Sequence, residues 1–275
     1  MDYQTYENQL QEPYQYNPID ISIGFYALCS FQHNAWDFVF ENIRKYYPNE
    51  PIVLINDGFD QYDYSDMAKK YNCIYVKKDR RLCLQFYTMD DIHEFLNRTK
   101  EACDLIRSEW MIQLHPDVIC QGKISYYPTS DICGVGAGSN NGKSNNNWDK
   151  NDECQTIANY IRRFYPNLEL NGWGWCGGSI MKISSFYEVY NNIYINKKIS
   201  LEDLKNNVHN FIFKHEDTIM PVLFGLSGFN YRIWKDNPEY SNTKIPGAFL
   251  HRYKEHYDKH QFKQYIERSK NNNFI

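Results

Sequence analysis

The order of apolar segments predicts an α/β fold with a mixed, mainly parallel central sheet and helices on both of its faces. Between residues 19 and 114, segments with strand character alternate with segments of helical periodicity. The segment 51–56, PIVLIN, is apolar almost throughout, which is typical of a parallel strand that is covered on both faces. Sheets of this class bind ligands beyond the carboxyl ends of their strands.

The first half of the chain alternates most regularly. The segment 33–48 places Trp36, Val39 and Ile43 on one helical face, and Pro48 ends it. The longest helical pattern comes just before the apolar run WMIQL. Strands are predicted at 19–29, 51–56, 73–77 and 110–114, and helices at 33–48, 63–71 and 88–107.

The second half is less regular, and its elements are predicted from shorter patterns. They are a strand at 131–138, a polar loop at 139–152, a helix at 153–166, a Gly/Trp loop at 171–184 that enters a short strand, helices near 184–195 and 215–228, and a last strand at 244–254. We expect a polar arm over 1–18, one domain over 19–255 with halves 19–120 and 121–255, and a C-terminal helix or tail over 256–275.

Composition excludes several classes of protein. The 275 residues carry a net charge of −4, with a sequence pI near 6.1, so no basic surface for nucleic acid is expected. No run approaches the roughly 18 apolar residues of a membrane span, and the N-terminal segment lacks an apolar signal core. The eight cysteines form no CxxC pair. A reduced, cytoplasmic compartment is therefore expected.

Two predicted strands end in carboxylates. Asp57 follows the strand at 51–56 in the sequence NDG, and Asp117 follows WMIQL in the sequence HPD. Each acid alone is also typical of a turn. We expect the two acids at adjacent carboxyl ends of a parallel sheet, where they converge on one crevice that suits a divalent cation and a phosphate. His115 and Asp117 are two residues apart around Pro116, which fixes the backbone between them.

A second acidic pair opens a predicted helix. Glu216 and Asp217 precede an apolar face that includes Ile219, Met220 and Leu223. Acids at a helix N-terminus stabilise it through its unsatisfied N–H groups and its dipole. The same placement suits a general base held rigidly beside a ligand. The sequence leaves both interpretations open.

The segment NGWGWCGGS combines glycines with two tryptophans. Gly177 and Gly178 permit close approach of the backbone to a ligand, and Trp173 and Trp175 offer flat apolar faces on which sugars stack. The alternative is a tight turn with buried tryptophans.

The last predicted strand ends at His251, with Arg252 and Lys254 beside it. A single histidine at a strand end is commonly an ordinary surface residue. The two basic side chains have the charge to pair with a phosphate.

Taken in order, these segments resemble a glycosyltransferase of the GT-A fold, and the resemblance covers roughly residues 19–255. Members of this fold carry an acid after an early strand, like Asp57, and an Asp-x-Asp motif that ends a central strand, like the stretch closing on Asp117. A glycine-rich segment, an acidic pair that opens a helix, and a histidine at the end of a late strand follow, like Glu216–Asp217 and His251. This chain departs from the pattern at His115, which stands in place of the first acid of the motif.

The resemblance implies a nucleotide-binding half over 19–120 and an acceptor half over 121–255. It implies transfer of a sugar from a nucleotide-sugar donor, with a UDP-sugar as first choice, to a hydroxyl of a glycan or another acceptor, with inversion and with Mn²⁺ or Mg²⁺. Asp217 would be the base, with Glu216 as the alternative. The metal would be held by Asp117, His251 and His115. The donor or acceptor would be contacted by Asp57, Ala27, Arg252, Lys254, Trp173, Trp175, Gly177 and Gly178.

Two other functions remain open from the sequence. A chain of this fold that binds a nucleotide sugar or glycan without turnover is one, and His115 in the metal motif favours it. The other is a kinase with a phosphate-binding loop, because AGSNNGKS at 137–144 fits the loose pattern that ends in Lys143 and Ser144. The polar segment after Ser144 begins a helix poorly, which counts against this alternative.

Overall fold

The structure is a computed structural model. It describes residues 17–29, 33–57, 63–80, 82, 86, 88–120, 122–134, 152–171, 174–207, 216–237 and 248–250. In these ranges the strands are β1 (Ile23–Cys29), β2 (Ile52–Asn56), β3 (Ile74–Lys77), β4 (Trp110–Leu114), β5 (Ile119–Cys120), β6 (Ile132–Gly134), β7 (Ile180–Lys182), β8 (Tyr231–Ile233) and β9 (Phe249–Leu250). The helices are α1 (His33–Tyr46), α2 (Ser65–Lys70), α3 (Met89–Ile106), α4 (Asp152–Arg162), α5 (Ile183–Tyr194), α6 (Leu201–Asn207) and α7 (Glu216–Leu226).

Seven strands form one sheet in the order β3-β2-β1-β4-β7-β6-β8. The pairs β3–β2, β2–β1, β1–β4 and β6–β8 are parallel, and β7 runs antiparallel to both β4 and β6. Only β7 therefore points against the other six strands of this sheet. The predicted fold class, a mixed, mainly parallel α/β sheet, is confirmed.

Helices cover both faces of the sheet because its strands are apolar on both sides. Residues of β2 alternate between two hydrophobic layers, with Val53 and Ile55 in one and Ile52 and Leu54 in the other. The first layer is filled by residues of α3, α4, α5 and α7, and the second by residues of α1 and α2. Every residue of β2 is buried, which explains the almost continuous apolar run.

The longest helix, α3, begins and ends where local chemistry places its boundaries. Thr88 accepts a hydrogen bond from the backbone N–H of Asp91, and the Asp91 side chain accepts one in return from the backbone of Thr88. Arg107, in the left-handed region with φ of 52°, ends the helix. The predicted span of 88–107 is therefore correct to within one residue at each end.

Three predicted strands differ from the structure. The strand predicted at 19–29 begins at Ile23, because Ile19 bonds outside the sheet, to the carbonyl of Ile124 at 2.9 Å. The strand predicted at 131–138 is described only over Ile132–Gly134. The last predicted strand is not part of the central sheet: in its described part, β9 pairs antiparallel with β5 in a separate two-stranded sheet.

The sequence did not predict β5, β8 or α6, which are short elements with little periodicity. The arm up to residue 16, the loop at 139–151 and the tail at 256–275 lie outside the described residues. None of the helices in the described ranges is long and apolar enough to cross a membrane.

Candidate functional site

The two strand-end acids lie at the same edge of the sheet but not on neighbouring strands. Asp57 follows β2 and Asp117 follows β4, whereas β1 lies between these strands and pairs with both. The expectation of adjacent strand ends is therefore wrong. Because β1 separates them, β2 and β4 are roughly 10 Å apart at about 4.8 Å per strand. The order of strands in this sheet does not follow their order along the chain. Ala27 of the intervening strand is fully buried in the layer beneath α1.

Asp57 forms a buried ion pair with Arg98 of α3. The Arg98 side chain is 0% exposed and that of Asp57 3%. Oδ1 of Asp57 also accepts the backbone N–H of Leu82 at 2.7 Å, and Arg98 donates to the Arg80 carbonyl and to Glu94 Oε1, the latter at 2.7 Å. One oxygen of Asp57 therefore holds the connection between β3 and α3 onto the end of β2.

The stretch His115-Pro116-Asp117 forms a turn at the end of β4. The N–H of Val118 donates to the carbonyl of His115 at 3.1 Å, and Asp117 is 8% exposed. Nε2 of His115 lies 2.9 Å from the amide nitrogen of Gln113. The apolar strand therefore stops at a turn whose carboxylate is largely withdrawn from water.

The glycine segment packs directly against this turn. A Cβ on Gly177 would lie 2.7 Å from His115 Cβ and would also collide with Val118. The N–H of Gly178 donates to the carbonyl of Gln113 at 2.7 Å, and Gly178 has a positive φ of 82°. In the structure, Gly177 permits close approach to His115, and Gly178 permits the hydrogen bond to Gln113. These contacts explain both glycines without a ligand.

The same segment reaches the start of α7. The N–H of Trp175 donates to the backbone carbonyl of Asp217 at 2.7 Å, and a Cβ on Gly174 would lie 3.1 Å from Asp217 Cβ. The segment Gly174–Gly178, here called the glycine bridge, therefore joins the His115 turn to the helix start that carries Asp217. Asp217 is half-buried.

Trp175 does not offer a face to a sugar. Its side chain is 0% exposed and belongs to the hydrophobic layer formed by α3, α4, α5 and α7. The expectation of a stacking platform at Trp175 is therefore wrong. The side chain packs inside the hydrophobic core, where removal of its apolar surface from water stabilises the fold.

Tyr231 of β8 is hydrogen-bonded to the glycine bridge. Its hydroxyl donates to the carbonyl of Gly174, and a Cβ on Gly134 of β6 would collide with that hydroxyl. Burial raises the pKa of Tyr231 well above its ordinary value, with smaller contributions from Cys176, Cys133 and Asp217. The hydroxyl therefore stays protonated and remains a donor.

Several predicted site residues lie outside the described residues. They are Trp173, His251, Arg252 and Lys254, and the side chain of Glu216 also lies outside them. The strand that precedes His251 is described: Leu250 pairs with Ile119, two residues after Asp117. Their assignments, and those of Lys143 and Ser144, stay predictions.

The described residues by themselves do not complete a metal site. No group of three or more His, Cys, Asp and Glu side chains with a suitable arrangement occurs among them. Asp117 and His115 supply one carboxylate and one imidazole within the same turn. A cation held there needs further ligands, from a bound diphosphate, from water or from the part of the chain that follows β9.

The sequence did not predict that Arg98, Asp236 and Asn237 contact residues of the candidate site. Arg98 could have been found, because it falls on the apolar stripe of α3 between Phe95 and Ala102, where an unpaired cation is not tolerated. A charged residue on such a stripe needs a buried partner.

Asp236 and Asn237 gave no local signal, since KDNP is typical of an ordinary turn. Asp236 is fully buried and accepts the N–H groups of Ser125 and Tyr126 through Oδ2, at 2.8 and 2.7 Å. Its carbonyl accepts the N–H of Phe249 at 2.8 Å. Asn237 donates to the carbonyl of Gly177 at 3.2 Å. The pair therefore fixes β9 and the glycine bridge to each other.

Comparison with known proteins finds no matching family model and no match among curated proteins. Among solved structures, the chain is similar to the crystal structure of S. aureus TarS, with 8% identity and a TM-score of 0.42, over 84% of this chain and 36% of TarS. It is also similar to the crystal structure of an active-site mutant of LgtC, with 9% identity and a TM-score of 0.42, over 83% of this chain and 86% of LgtC. This chain thus spans about a third of TarS. At this level of similarity, the two structures indicate nothing about the chemistry of this chain.

Proposed function

We propose that the protein is a glycosyltransferase that moves a sugar from a nucleotide-sugar donor to a hydroxyl acceptor, with inversion at the anomeric carbon. The observation that carries this proposal is the glycine bridge. It contacts the His115 turn through Gly177. It contacts the start of α7 through the N–H of Trp175, which donates to the carbonyl of Asp217 at 2.7 Å. A candidate phosphate and cation position and a candidate base are thereby held by one short segment.

In this proposal Asp217 is the general base. The acceptor hydroxyl gives its proton to the carboxylate while its oxygen forms a bond to the anomeric carbon. The bond from that carbon to the diphosphate oxygen breaks, and its electron pair leaves with the diphosphate. A base must lie within hydrogen-bond reach of the hydroxyl, and the second residue of α7, whose carbonyl is bonded to the glycine bridge, has a fixed backbone.

Asp117 supplies the negative charge that a divalent cation requires, and His251 remains the predicted further ligand. A bound Mn²⁺ or Mg²⁺ would offset the charge that develops on the leaving diphosphate. Asp57, whose Oδ1 is bound by Arg98 and by the N–H of Leu82, stays the candidate contact to the nucleoside because it lies at the carboxyl end of β2. Arg252 and Lys254 stay candidates for contacts to phosphate.

The first experiment is a thermal-shift screen of the whole chain against nucleotide sugars, with and without Mn²⁺, followed by an assay of transfer and donor hydrolysis. A ligand that binds only the folded state raises its stability. Binding with turnover supports the proposal. Binding without turnover supports the alternative of a non-catalytic nucleotide-sugar-binding protein, and the absence of any nucleotide-sugar binding rejects both.

The assignment of Asp217 is tested by Asp217→Asn, because asparagine still satisfies a helix start but takes no proton. We expect transfer to fall by about 10² or more, with donor affinity unchanged. The matched control is Asp203→Asn in the first turn of α6, an acidic residue outside the proposed site, which should transfer normally. A folded Asp217→Asn variant with near-normal transfer would move the role to Glu216.

A further inference from the structure

Three helices of the first hydrophobic layer, α4, α5 and α7, end close to one another. A Cβ on Gly228, just after α7, would lie 3.0 Å from the ring of Tyr165, which follows α4. Near the end of α5, the side-chain amide of Asn192 donates to Oγ of Ser227 at 3.2 Å. These contacts bring the carboxyl ends of the three helices to one surface. We call this surface the helix-end face, and it comprises residues 159–168, 190–200 and 224–230.

The helix-end face exposes large apolar side chains. Among the residues that the structure describes, five large hydrophobic side chains are exposed, and three of them belong to this face. Ile195 is 68% exposed, Phe164 59% and Tyr165 38%. The remaining two, Ile74 in β3 and Tyr127 between β5 and β6, lie elsewhere. One exposed apolar side chain is ordinary, but several at one place indicate a surface that meets a partner.

The same face is basic, although the whole chain carries a net charge of −4. Its three segments contain no acidic residue and four basic ones, Arg162, Arg163, Lys197 and Lys198. The last three are exposed, and none of them forms an ion pair within the described part of the chain. Basic residues stabilise the carboxyl end of a helix through its dipole, but that role does not account for the apolar side chains exposed beside them.

Acidic side chains begin just outside the face. Glu169 pairs with Arg232 at 2.7 Å. Glu202 and Asp203 lie in the first turn of α6, where acids stabilise the N-terminal end of the helix. The acids that border the face along the chain therefore already have structural roles.

We propose that the helix-end face binds an anionic lipid surface. Phe164, Tyr165 and Ile195 enter the interfacial layer, where their apolar groups leave water. The arginines and lysines contact the negatively charged headgroups, because each cation near such a surface contributes to binding. The partner is thus defined by its chemistry, as a membrane surface whose headgroups carry a net negative charge.

Two features of the face favour a lipid surface over a protein. Its apolar side chains come from the ends of separate helices, and a fluid surface accepts such scattered groups without the shape complementarity that a protein interface requires. A second copy of this chain is disfavoured, because a two-fold dimer through the face brings the same four cations of both copies together.

The helix-end face lies at the far end of α7 from the candidate base. Asp217 is the second of the 11 residues of α7, and the helix ends at Leu226. At 1.5 Å per residue, about 14 Å of helix separates the two residues. Lipid binding at this face therefore does not cover Asp217, and the inference does not depend on the proposed function.

The test is co-sedimentation of the full chain with vesicles of phosphatidylcholine, alone or mixed with phosphatidylglycerol. We expect binding to the anionic vesicles, little binding to phosphatidylcholine alone, and release as NaCl is added, because salt screens the attraction between charges. Absence of binding to the anionic vesicles, or equal binding to both kinds of vesicle, would overturn the proposal.

Variants of the face locate the contact. Lys197→Gln/Lys198→Gln should weaken partitioning onto anionic vesicles by about 25-fold, since each cation near the surface contributes roughly a factor of five. The matched control is Lys69→Gln/Lys70→Gln, an adjacent lysine pair in the last turn of α2, which packs on the opposite face of the sheet. This control should bind like the wild type. Equal losses in the two double variants would show that the helix-end face has no special part in binding, which contradicts the proposal.

The apolar contact has a variant of its own. Phe164→Ser should weaken partitioning by about tenfold, whereas Tyr127→Ser, at a similarly exposed aromatic residue outside the face, should leave it unchanged. Circular dichroism and the urea midpoint check that each variant is folded. A folded Phe164→Ser variant that partitions like the wild type would overturn the proposal. Sedimentation equilibrium without vesicles tests the second copy: a wild-type dimer that Phe164→Ser dissociates would assign the face to that copy and overturn the proposal as well.

Discussion

The buried ion pair between Asp57 and Arg98 provides the strongest quantitative prediction. In Asp57→Ala, Arg98 keeps Glu94 and the Arg80 carbonyl as acceptors but loses its buried carboxylate, and the N–H of Leu82 loses its acceptor. Because both partners are almost completely withdrawn from water, removal of Asp57 leaves the buried Arg98 with only the partly exposed Glu94 as a counter-charge. We expect a loss of about 3 kcal/mol in the free energy of unfolding, the lower end for a broken buried ion pair.

The assay is urea unfolding followed by circular dichroism, on Asp57→Ala, Arg98→Met and the double variant. Removal of both charges should cost less than the sum of the single losses, with a coupling energy of about 0.5–3 kcal/mol. The matched control is Lys100→Met in the same helix. Lys100 pairs with Asp104 at 2.8 Å, and the two side chains are 36% and 47% exposed. Its loss should cost about 0.5 kcal/mol or less.

Equal losses for Arg98→Met and Lys100→Met would refute the reasoning, because burial would then have made no difference. Ligand binding is read separately, by calorimetry with nucleoside diphosphates on variants that remain folded. If the carboxylate of Asp57 also contacts the nucleoside, the double variant recovers part of the lost stability but not the affinity. Unchanged nucleotide affinity in Asp57→Ala would remove Asp57 from the binding site and leave it a purely structural residue.

Asp117→Asn should abolish metal-stimulated transfer, whereas His115→Ala should only weaken transfer; a wild-type rate that is unaffected by a chelator would contradict the metal role of Asp117. Gly177→Ala should lower the free energy of unfolding by about 1–3 kcal/mol, because its Cβ would meet the His115 turn. The control is Gly225→Ala in α7, which should cost far less because its Cβ would meet only the flexible end of the Ile161 side chain. Equal losses in urea unfolding would contradict this. Burial raises the pKa of the Cys120 thiol from 9.0 to about 12. The folded state therefore favours the protonated thiol, and the stability that this thiol contributes is complete below about pH 9 and is lost as the pH rises towards 12. The urea midpoint should therefore fall between pH 9 and 11 less steeply in Cys120→Ala than in the wild type, and identical slopes would argue against this.

The sequence by itself determined the elements whose signals are local. The alternation of strands and helices up to β4, the limits of α3 and the placement of Asp57 at a strand end follow from periodicity, capping and breaker residues, all of which act within a few residues. The position of Asp217 at the start of α7 was predicted for the same reason. The short elements β5, β8 and α6 have too few residues for a period to be visible.

Only the tertiary structure decided which of these elements meet. The order that places β1 between β2 and β4, and the reversal of β7, depend on pairing between segments distant in sequence. The glycine bridge contacts both the His115 turn and Asp217 because β7 enters the sheet antiparallel to β4. Trp175 is buried and Arg98 is paired for the same reason: the free energy of burying a side chain depends on the neighbours that the fold brings to it, and no local pattern contains that information.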